Sequence, residues 1–310
     1  MRDGGGPRRE RQRQEEQHRD DHREGVSHAS AVPAEPPRPI PPEFAASVQV
    51  TDAERAWIRE HLARFHENEL ILDVVQRIKA GKEATVYVCS AHPSTGKSFL
   101  AAKLYRQRSL RSSRNAGQYQ EGRALLDDDG NAAKTHSRRP DKTVPQKSAR
   151  GKAAEHTSWL MHEFTLLQAL HAQGADVPEP IEHTEQALLM EFIGEGTSAA
   201  PTLNDVEIDP ADARRLFERV IFNVELLLGM GWAHGDLSPY NILYRDGGLV
   251  LIDFPQVTSC RDNPRARAIF ERDIERVAAY FQRFGHRVEP RQLARELWTR
   301  YFGDLDDTPG

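Results

Sequence analysis

The sequence predicts an α+β fold with two lobes: an N-terminal lobe with an antiparallel β-sheet and one long helix, and a reduced, mostly helical C-terminal lobe. β-branched and aromatic residues recur between turn signals from Ile71 to Arg106, which is typical of strands. Apolar residues with helical spacing run from Trp159 to Leu170 and fill further stretches beyond Leu216. The predicted units are a tail (1–48), the N-terminal lobe (49–192) and the C-terminal lobe (193–310).

The composition excludes several classes of protein. With 42 Lys and Arg against 47 Asp and Glu, the 310-residue chain has a net charge of -5, so it does not coat nucleic acid along its whole surface. The two cysteines, Cys89 and Cys260, have no metal-ligand spacing and fit a reducing compartment. The chain has no apolar run of membrane-spanning length, and its N-terminus is charged. We expect a cytoplasmic protein with no membrane partner.

The first 48 residues are rich in Arg, Glu, Gln, Pro and Gly. Such a segment cannot bury enough surface to offset its conformational entropy, so we predict a disordered tail. A helix is predicted to begin after Thr51, because Glu54 completes a capping box three residues later. Strands are predicted within residues 71–90 and 98–106, and a buried strand in "ALLMEFIG".

The stretch "AHPSTGKS" (Ala91–Ser98) ends like a nucleotide-binding P-loop. A P-loop must lead into a helix, whereas the residues after Ser98, "FLAAKLYR", have the pattern of a strand. With Val86 paired to Lys103, the centre of the hairpin falls within this stretch, whose Pro, Ser, Thr and Gly are turn residues. Lys97 is therefore expected at the surface, away from any phosphate.

Residues 106–152 differ from the rest of the predicted N-terminal lobe. They contain twelve Lys and Arg against five Asp and Glu, a net charge of +7, and little apolar periodicity. We predict a mobile loop or insertion. Two interpretations are equally favoured: a solvated insertion without a partner, and a basic contact surface for RNA or another anionic partner.

The stretch "HGDLSPYNILYRDGGLVLIDF" has the spacing of a phosphoryl-transfer site. If its hairpin turns about Gly247, antiparallel pairing sets Asn241 opposite Asp253, and their oxygens are ligands that Mg²⁺ prefers. Asp236 precedes Asn241 by five residues, which matches the kinase catalytic loop, where this Asp accepts the proton of the attacking hydroxyl. Each residue alone would be an ordinary loop residue, but together they predict a catalytic centre.

The N-terminal lobe supplies residues that such a centre needs. Glu163 lies on the apolar face of its predicted helix, where a charge requires a partner. We favour an ion pair with Lys103 over the alternative that Lys103 extends to water. In the preceding loop, "AGKEATVYV", Gly81 permits close backbone approach and Lys82 offers a charge to phosphate.

The motifs "GKEATVYV", "AAKLY", "HEF", "LLMEFIG", "HGDLSPYNILY", "LIDFPQ" and "ERDIERVAAYF" together resemble the RIO family of atypical protein kinases, over about Ile71 to Gly285. The resemblance implies a protein-kinase-like fold that binds ATP and Mg²⁺ and phosphorylates serine or threonine of protein substrates or of itself. It also implies that Asp236 is the catalytic base, that Asn241 and Asp253 hold the metal, and that Asp253 carries an aspartyl-phosphate during ATP hydrolysis. The implied nucleotide-binding residues are Gly81, Lys82, Glu83, Val86, Lys103, Glu163, Met190, Glu191 and Ile193, with 190–193 forming the hinge beside adenine.

Several positions depart from familiar patterns. Gly235 replaces the arginine that precedes the catalytic Asp of ordinary kinases, Pro255 replaces the glycine after Asp-Phe, and Lys79 stands where the family has a small hydroxyl residue. Two other functions stay open: a small-molecule phosphotransferase of the aminoglycoside or choline kinase type, and a pseudokinase or ribosome-associated scaffold. The "GKEA" loop favours the RIO interpretation over the first, and the complete set of catalytic residues favours turnover over the second.

Overall fold

The computed structural model describes residues 44–81, 83–106 and 149–303, with the side chains of 149–159 outside that description. All of these residues belong to one compact unit, residues 43–310. The N-terminal half contains α1 (Asp52–Glu67), β1 (Ile71–Ala80), β2 (Ala84–Ala91), β3 (Phe99–Tyr105), α2 (Ala149–Ala172), β4 (Pro180–His183) and β5 (Ala187–Glu191). The C-terminal half contains β6 (Gly194–Glu195), β7 (Ser198–Ala199), α3 (Pro210–Gly229), β8 (Trp232–Ala233), β9 (Ile242–Arg245), β10 (Gly248–Leu251), β11 (Thr258–Ser259), α4 (Ala266–Gln282) and α5 (Pro290–Phe302).

The N-terminal lobe is a five-stranded antiparallel sheet in the order β1-β2-β3-β5-β4. Apolar residues on one face of the sheet pack with Ile58, Leu62 and Phe65 of α1 in one core cluster. Residues from the other face join α2 and the C-terminal helices in a second cluster. The sheet is therefore covered on both faces, and this fixes the strand that carries Lys103.

The helix α1 begins as predicted. Thr51 is its N-cap, and the Thr51 hydroxyl oxygen accepts a hydrogen bond from the backbone N–H of Glu54 at 3.2 Å. The predicted tail (1–48), however, includes residues that pack with the folded lobe. Ala46 and Val48 are buried, and the Val48 N–H donates to the Val74 carbonyl at 2.9 Å. Residues 44–48 thus pack on the sheet, because the apolar side chains of Ala46 and Val48 are buried beside β1.

The hairpin of β2 and β3 has the predicted register, with Val86 opposite Lys103. Its turn is the short helix Pro93–Thr95, followed by Gly96 at φ +67°, a conformation that glycine adopts readily. A strand rather than a helix follows Ser98, which excludes a P-loop at "AHPSTGKS".

The hairpin of β9 and β10 corrects the second predicted register. Gly248 pairs with Arg245, so the turn consists of Asp246 and Gly247, both with positive φ. Two such residues make the tight turn that matches strand twist. Asn241 therefore faces Ile252, whose N–H donates to the Asn241 carbonyl at 3.0 Å. Asp253 is the next residue along, beside Asn241 and not opposite it.

Most of the predicted basic segment, residues 107–148, lies outside the described residues, as does Lys82. The end of this segment is corrected, because residues 149–152 already belong to α2. The helix α2 ends two residues before Gly174, whose positive φ is typical of the residues that terminate a helix. Within the described parts of the chain, no helix has the length and apolar character needed to cross a membrane.

Candidate active site

A cleft of about 470 Å³ is enclosed by the sheet, α2 and the loops around β9 and β10, a size typical of small-molecule sites. Ten of the twelve predicted site residues line it: Gly81, Glu83, Val86, Lys103, Glu163, Met190, Glu191, Ile193, Asp236 and Asp253. Asn241 lies behind Asp236, and Lys82 is outside the described residues. Residues predicted from separate stretches of sequence are thus brought to one cavity.

Lys103 is at the centre of a buried ionic cluster. Its Nζ atom donates to Glu163 Oε1 at 2.9 Å and to Asp253 Oδ1 at 2.8 Å. The side chains of Lys103 and Glu163 are only 8% and 3% exposed. The predicted pairing of these two residues is confirmed, and the same ammonium group also contacts Asp253.

The surroundings of this cluster favour the charged forms. Burial disfavours the Lys103 ammonium, but the carboxylates of Asp253 and Glu163 outweigh it and hold the pKa of Lys103 well above its usual range. Burial would likewise raise the pKa of Asp253, but the adjacent Lys103 lowers it. Lys103 and Asp253 are therefore both ionised at neutral pH.

The loop between β1 and β2 closes one side of the cleft. The Gly81 N–H donates to the Ala84 carbonyl at 2.8 Å, which makes a tight turn. Burial and the negative charge of Asp253 raise the pKa of Glu83. Lys79, the departure from the family pattern, is exposed and also lines the cleft, so it adds a positive charge where phosphate is expected.

The catalytic loop, residues 234–241 between β8 and β9, holds Asp236 at the mouth of the cleft. The Asn241 Nδ2 atom donates to the Asp236 backbone carbonyl at 2.8 Å and to its Oδ2 at 3.3 Å. Arg276 of α4 donates to Asp236 Oδ1 at 2.8 Å. Asp236 and Arg276 remain 49% and 41% exposed, so the carboxylate is fixed yet accessible to a substrate.

A buried residue of α4 supports the same loop. Asp273 Oδ2 accepts from the Gly235 N–H at 2.8 Å, and Arg272 donates to the Gly235 carbonyl. Gly235 has φ +86°, and an added Cβ would lie 2.0 Å from the Gln256 carbonyl oxygen. An arginine therefore cannot occupy position 235, and α4 supplies the cations beside the loop instead.

Asp253 has φ +69°, which is unusual for a residue other than glycine and costs on the order of 1–3 kcal/mol. Such conformations cluster at functional sites. Asn241 binds Asp236 through its Nδ2 atom, so the amide oxygen is the atom of this buried side chain that would ligate a metal. A carboxylate and an amide oxygen at neighbouring positions fit Mg²⁺, which takes its remaining ligands from phosphates and water.

The hinge side of the cleft contains the end of β5. Met190 pairs with Ala101, and the Ile193 carbonyl accepts from the Ala200 N–H at 2.9 Å. Lys97, expected at the surface, lies outside the cleft lining and is 28% exposed. Its Nζ atom contacts Glu179 at 2.7 Å and Glu191 at 3.8 Å, so Lys97 pairs with the hinge residue Glu191 without itself lining the cleft.

Sequence reasoning missed three residues that complete the site: Tyr105, Arg276 and Asp273. Tyr105 donates a hydrogen bond to Glu163 Oε2. Tyr105 could have been found from its position two residues after Lys103, because alternate strand residues share a face. Arg276 and Asp273 lie about forty residues from the loop they contact, and no local spacing links them to it.

Known proteins of one family are similar to this chain. The RIO domain model matches residues 85–293. The serine/threonine-protein kinase rio1 of Schizosaccharomyces pombe is 30% identical over 241 residues, 77% of this chain and 44% of that protein. The RIO-type serine/threonine-protein kinase Rio1 of Thermoplasma acidophilum is 29% identical over 199 residues, 64% of this chain and 93% of that protein. The chain thus spans less than half of the first relative and most of the second.

Solved structures confirm the predicted fold class. The crystal structure of the Rio2 kinase-ADP/Mg²⁺-phosphoaspartate complex from Chaetomium thermophilum has a TM-score of 0.54 and 20% sequence identity, covering 80% of this chain and 70% of that one. At this identity the likeness concerns the fold alone. The family model, by contrast, spans more than half of the sequence and includes the stretches that bring Lys103, Asp236 and Asp253 together, and we conclude that this chain belongs to the RIO family.

Proposed function

We propose that this protein is an ATP- and Mg²⁺-dependent phosphotransferase that phosphorylates serine or threonine of a protein substrate, itself included. One observation carries the proposal: Lys103 joins Glu163 of α2 to Asp253 in the cleft into which Asp236 opens. Kinase chemistry requires the pair of strand lysine and helix glutamate, together with a metal-binding and a catalytic aspartate in the same cleft. The relatives named above are serine/threonine-protein kinases by name, which supports the same reaction.

Each residue has a role in this reaction. The Lys103 ammonium, held by Glu163, binds the α and β phosphates, and the hinge at 190–193 contacts adenine. Asn241 and Asp253 would hold Mg²⁺, which supplies neutralisation of the charge on the transferred phosphate. The acceptor hydroxyl oxygen forms a bond to the γ-phosphorus, its proton passes to the Asp236 carboxylate, and the bond to the bridging oxygen breaks to release ADP.

Asp253 is also a proposed acceptor in a second reaction. Attack by its carboxylate oxygen on the γ-phosphorus forms an acyl phosphate and releases ADP, and water then hydrolyses the acyl phosphate to the carboxylate and free phosphate. The similar Rio2 kinase was solved as an ADP/Mg²⁺-phosphoaspartate complex. The position of Asp253 in the cleft, beside Lys103, supports this ATPase activity beside protein phosphorylation.

We further propose that residues 106–152 bind RNA or a ribosomal surface, and that the protein is cytoplasmic. The net charge of +7 in this segment supports the first proposal. The two cysteines, which are both free and buried, support the second. Deletion of 106–152 should weaken binding to RNA and remove its salt dependence; unchanged binding that is insensitive to salt would contradict RNA recognition by this segment.

Incubation with γ-labelled ATP and Mg²⁺ tests the proposed chemistry. We expect acid-stable label on serine or threonine, and label sensitive to hydroxylamine if Asp253 is phosphorylated. Asp236→Ala should abolish the acid-stable label, and Asp253→Ala should abolish both kinds of label. Folded variants with full turnover would contradict the proposal. Label that appears on a small molecule instead would favour the aminoglycoside or choline kinase alternative, and a folded wild-type chain that does not bind ATP would favour the scaffold.

A further inference from the structure

Tyr105 is a buried residue of the ionic cluster with no role in the reaction described above. It ends β3, two residues after Lys103, so both side chains extend from the same face of the strand. Its hydroxyl donates to Glu163 Oε2, and the Lys103 ammonium lies 5.2 Å from the centroid of its ring. A single side chain therefore contacts both Lys103 and Glu163.

The surroundings of Tyr105 fix it in this position. The side chain is fully buried, and its ring belongs to the same core cluster as Leu160 and Phe164, which flank Glu163 on α2. Burial and the neighbouring Glu163 carboxylate hold the pKa of Tyr105 well above its usual range. The phenol therefore stays neutral and remains a hydrogen-bond donor.

The two carboxylate oxygens of Glu163 have different partners. Oε1 accepts from Lys103 and Oε2 accepts from Tyr105. Glu163 is only 3% exposed, so water cannot readily replace either partner. Loss of the Tyr105 hydroxyl would leave Oε2 without its donor, and the carboxylate would rotate to share Lys103 more strongly.

We infer that Tyr105 is a positioning residue that orients Glu163 and thereby sets the affinity for Mg-ATP; the inference rests on the proposed function. When Asp253 turns from Lys103 to a metal ion, Glu163 is the remaining carboxylate partner of Lys103 among the described contacts. Its orientation then decides where the ammonium points. Tyr105 thus provides, from within the sheet, a fixed second anchor for the glutamate of α2.

Tyr105→Phe tests this inference, with Tyr87→Phe as a matched control. Tyr87 is also fully buried and also donates to a glutamate, Glu54 Oε1 at 2.7 Å, but it packs with α1 on the other face of the sheet and lies outside the cleft lining. Tyr105→Phe removes the hydrogen bond to the charged Glu163 side chain, and a loss of this size in binding corresponds to about a tenfold rise in the Kd for Mg-ATP. We expect that rise in Tyr105→Phe, and a change within about twofold in Tyr87→Phe.

A double-mutant cycle shows whether Tyr105 acts through Glu163. The double variant Tyr105→Phe/Glu163→Ala should bind Mg-ATP with the same Kd as Glu163→Ala alone. A further rise of about tenfold in the double variant would mean that the two effects add, and it would overturn the assigned role. Equal Kd values for Tyr105→Phe and Tyr87→Phe, with wild-type binding intact, would also overturn it. Absence of Mg-ATP binding in the wild-type chain would instead contradict the proposed function. Circular dichroism at the assay temperature verifies that each variant is folded.

Discussion

The two sides of the cleft carry ion pairs of nearly equal length in opposite environments. Lys103 and Glu163 meet at 2.9 Å and are almost fully buried, while Arg276 and Asp236 meet at 2.8 Å and are nearly half exposed. Removal of one partner costs about 3–5 kcal/mol for a buried pair and about 0.2–1 kcal/mol for an exposed one. In the proposed reaction, the buried side thus holds the nucleotide in place, and the exposed side stays open to the acceptor.

The largest expected effect is on the buried side. Lys103→Ala leaves Glu163 without its ionic partner, and we expect the free energy of unfolding to fall by about 3–5 kcal/mol. The Kd for Mg-ATP should rise at least about a hundredfold, since a charge-assisted contact with phosphate is lost. Denaturant titration and calorimetry measure the two quantities. Arg276→Ala is the control for stability, and it should change the free energy of unfolding by no more than about 1 kcal/mol. Equal losses in the two variants would remove the distinction between the sides.

On the exposed side we expect a large effect on rate with a small effect on stability. Asp236→Ala should lower kcat by about 10²- to 10⁴-fold, the contribution of a general base, with the KM for ATP unchanged. Asp212→Ala is a matched control, because Asp212 forms a similarly exposed pair with Arg215 on α3, at 2.9 Å. Its kcat should equal that of the wild type. An Asp236→Ala enzyme that loses nucleotide affinity and keeps its kcat would reverse the assignment.

A third effect comes from the buried support beneath the exposed loop. Burial raises the pKa of Asp273 to about 6, so its contribution to stability is present at low pH and lost as the pH rises from about 4 through 6. Burial lowers the pKa of His234 to about 4, so its contribution is present above about 6.5 and lost as the pH falls toward 4. The two groups change the free energy of unfolding in opposite directions over the same pH range, and each change amounts to about 3 kcal/mol.

Asp273→Asn removes the pH dependence that comes from Asp273, and it keeps an oxygen that accepts from the Gly235 N–H. We expect its free energy of unfolding, measured by denaturant titration at several values between pH 4 and pH 7, to fall more steeply on acidification than that of the wild type. Asp212→Asn, on the surface of α3, is the control and should follow the wild type. Parallel curves for Asp273→Asn and wild type would show that Asp273 titrates normally in the folded chain.

The two hairpins show how far local sequence determined the fold. The turn of β2 and β3 is defined by a dense run of turn residues, and its register was predicted correctly. In "RDGG" the sequence permits a centre on Gly247 or between Asp246 and Gly247, and the pair of positive φ angles selects the second. This one-position error altered the expected contact of Asn241 with Asp253 but left both residues at the site.

Residues joined by distant parts of the chain were harder to predict. Glu163 could be predicted because a charge on an apolar helix face needs a partner. Arg276 carries no such signal, because an arginine on an exposed helix surface is ordinary. Its contact with Asp236 depends on how α4 packs beneath the catalytic loop, which helical periodicity alone does not specify.

The smallest expected effect concerns Lys97, whose sequence context most resembles a phosphate site. Its ammonium group pairs with Glu179 and with Glu191 of the hinge, and all three side chains are between 28% and 40% exposed. Pairs of this kind contribute about 0.2–1 kcal/mol. Lys97→Ala should therefore lower the free energy of unfolding by at most about 1 kcal/mol and change the Kd for Mg-ATP by no more than about twofold. Calorimetry measures the Kd for Mg-ATP of Lys97→Ala and of Lys103→Ala under the same conditions. A comparable loss of affinity in both variants would mean that the lysine of "AHPSTGKS" binds phosphate after all, whereas the wide difference we expect would place phosphate recognition on the buried side of the cleft, six residues further along the same hairpin.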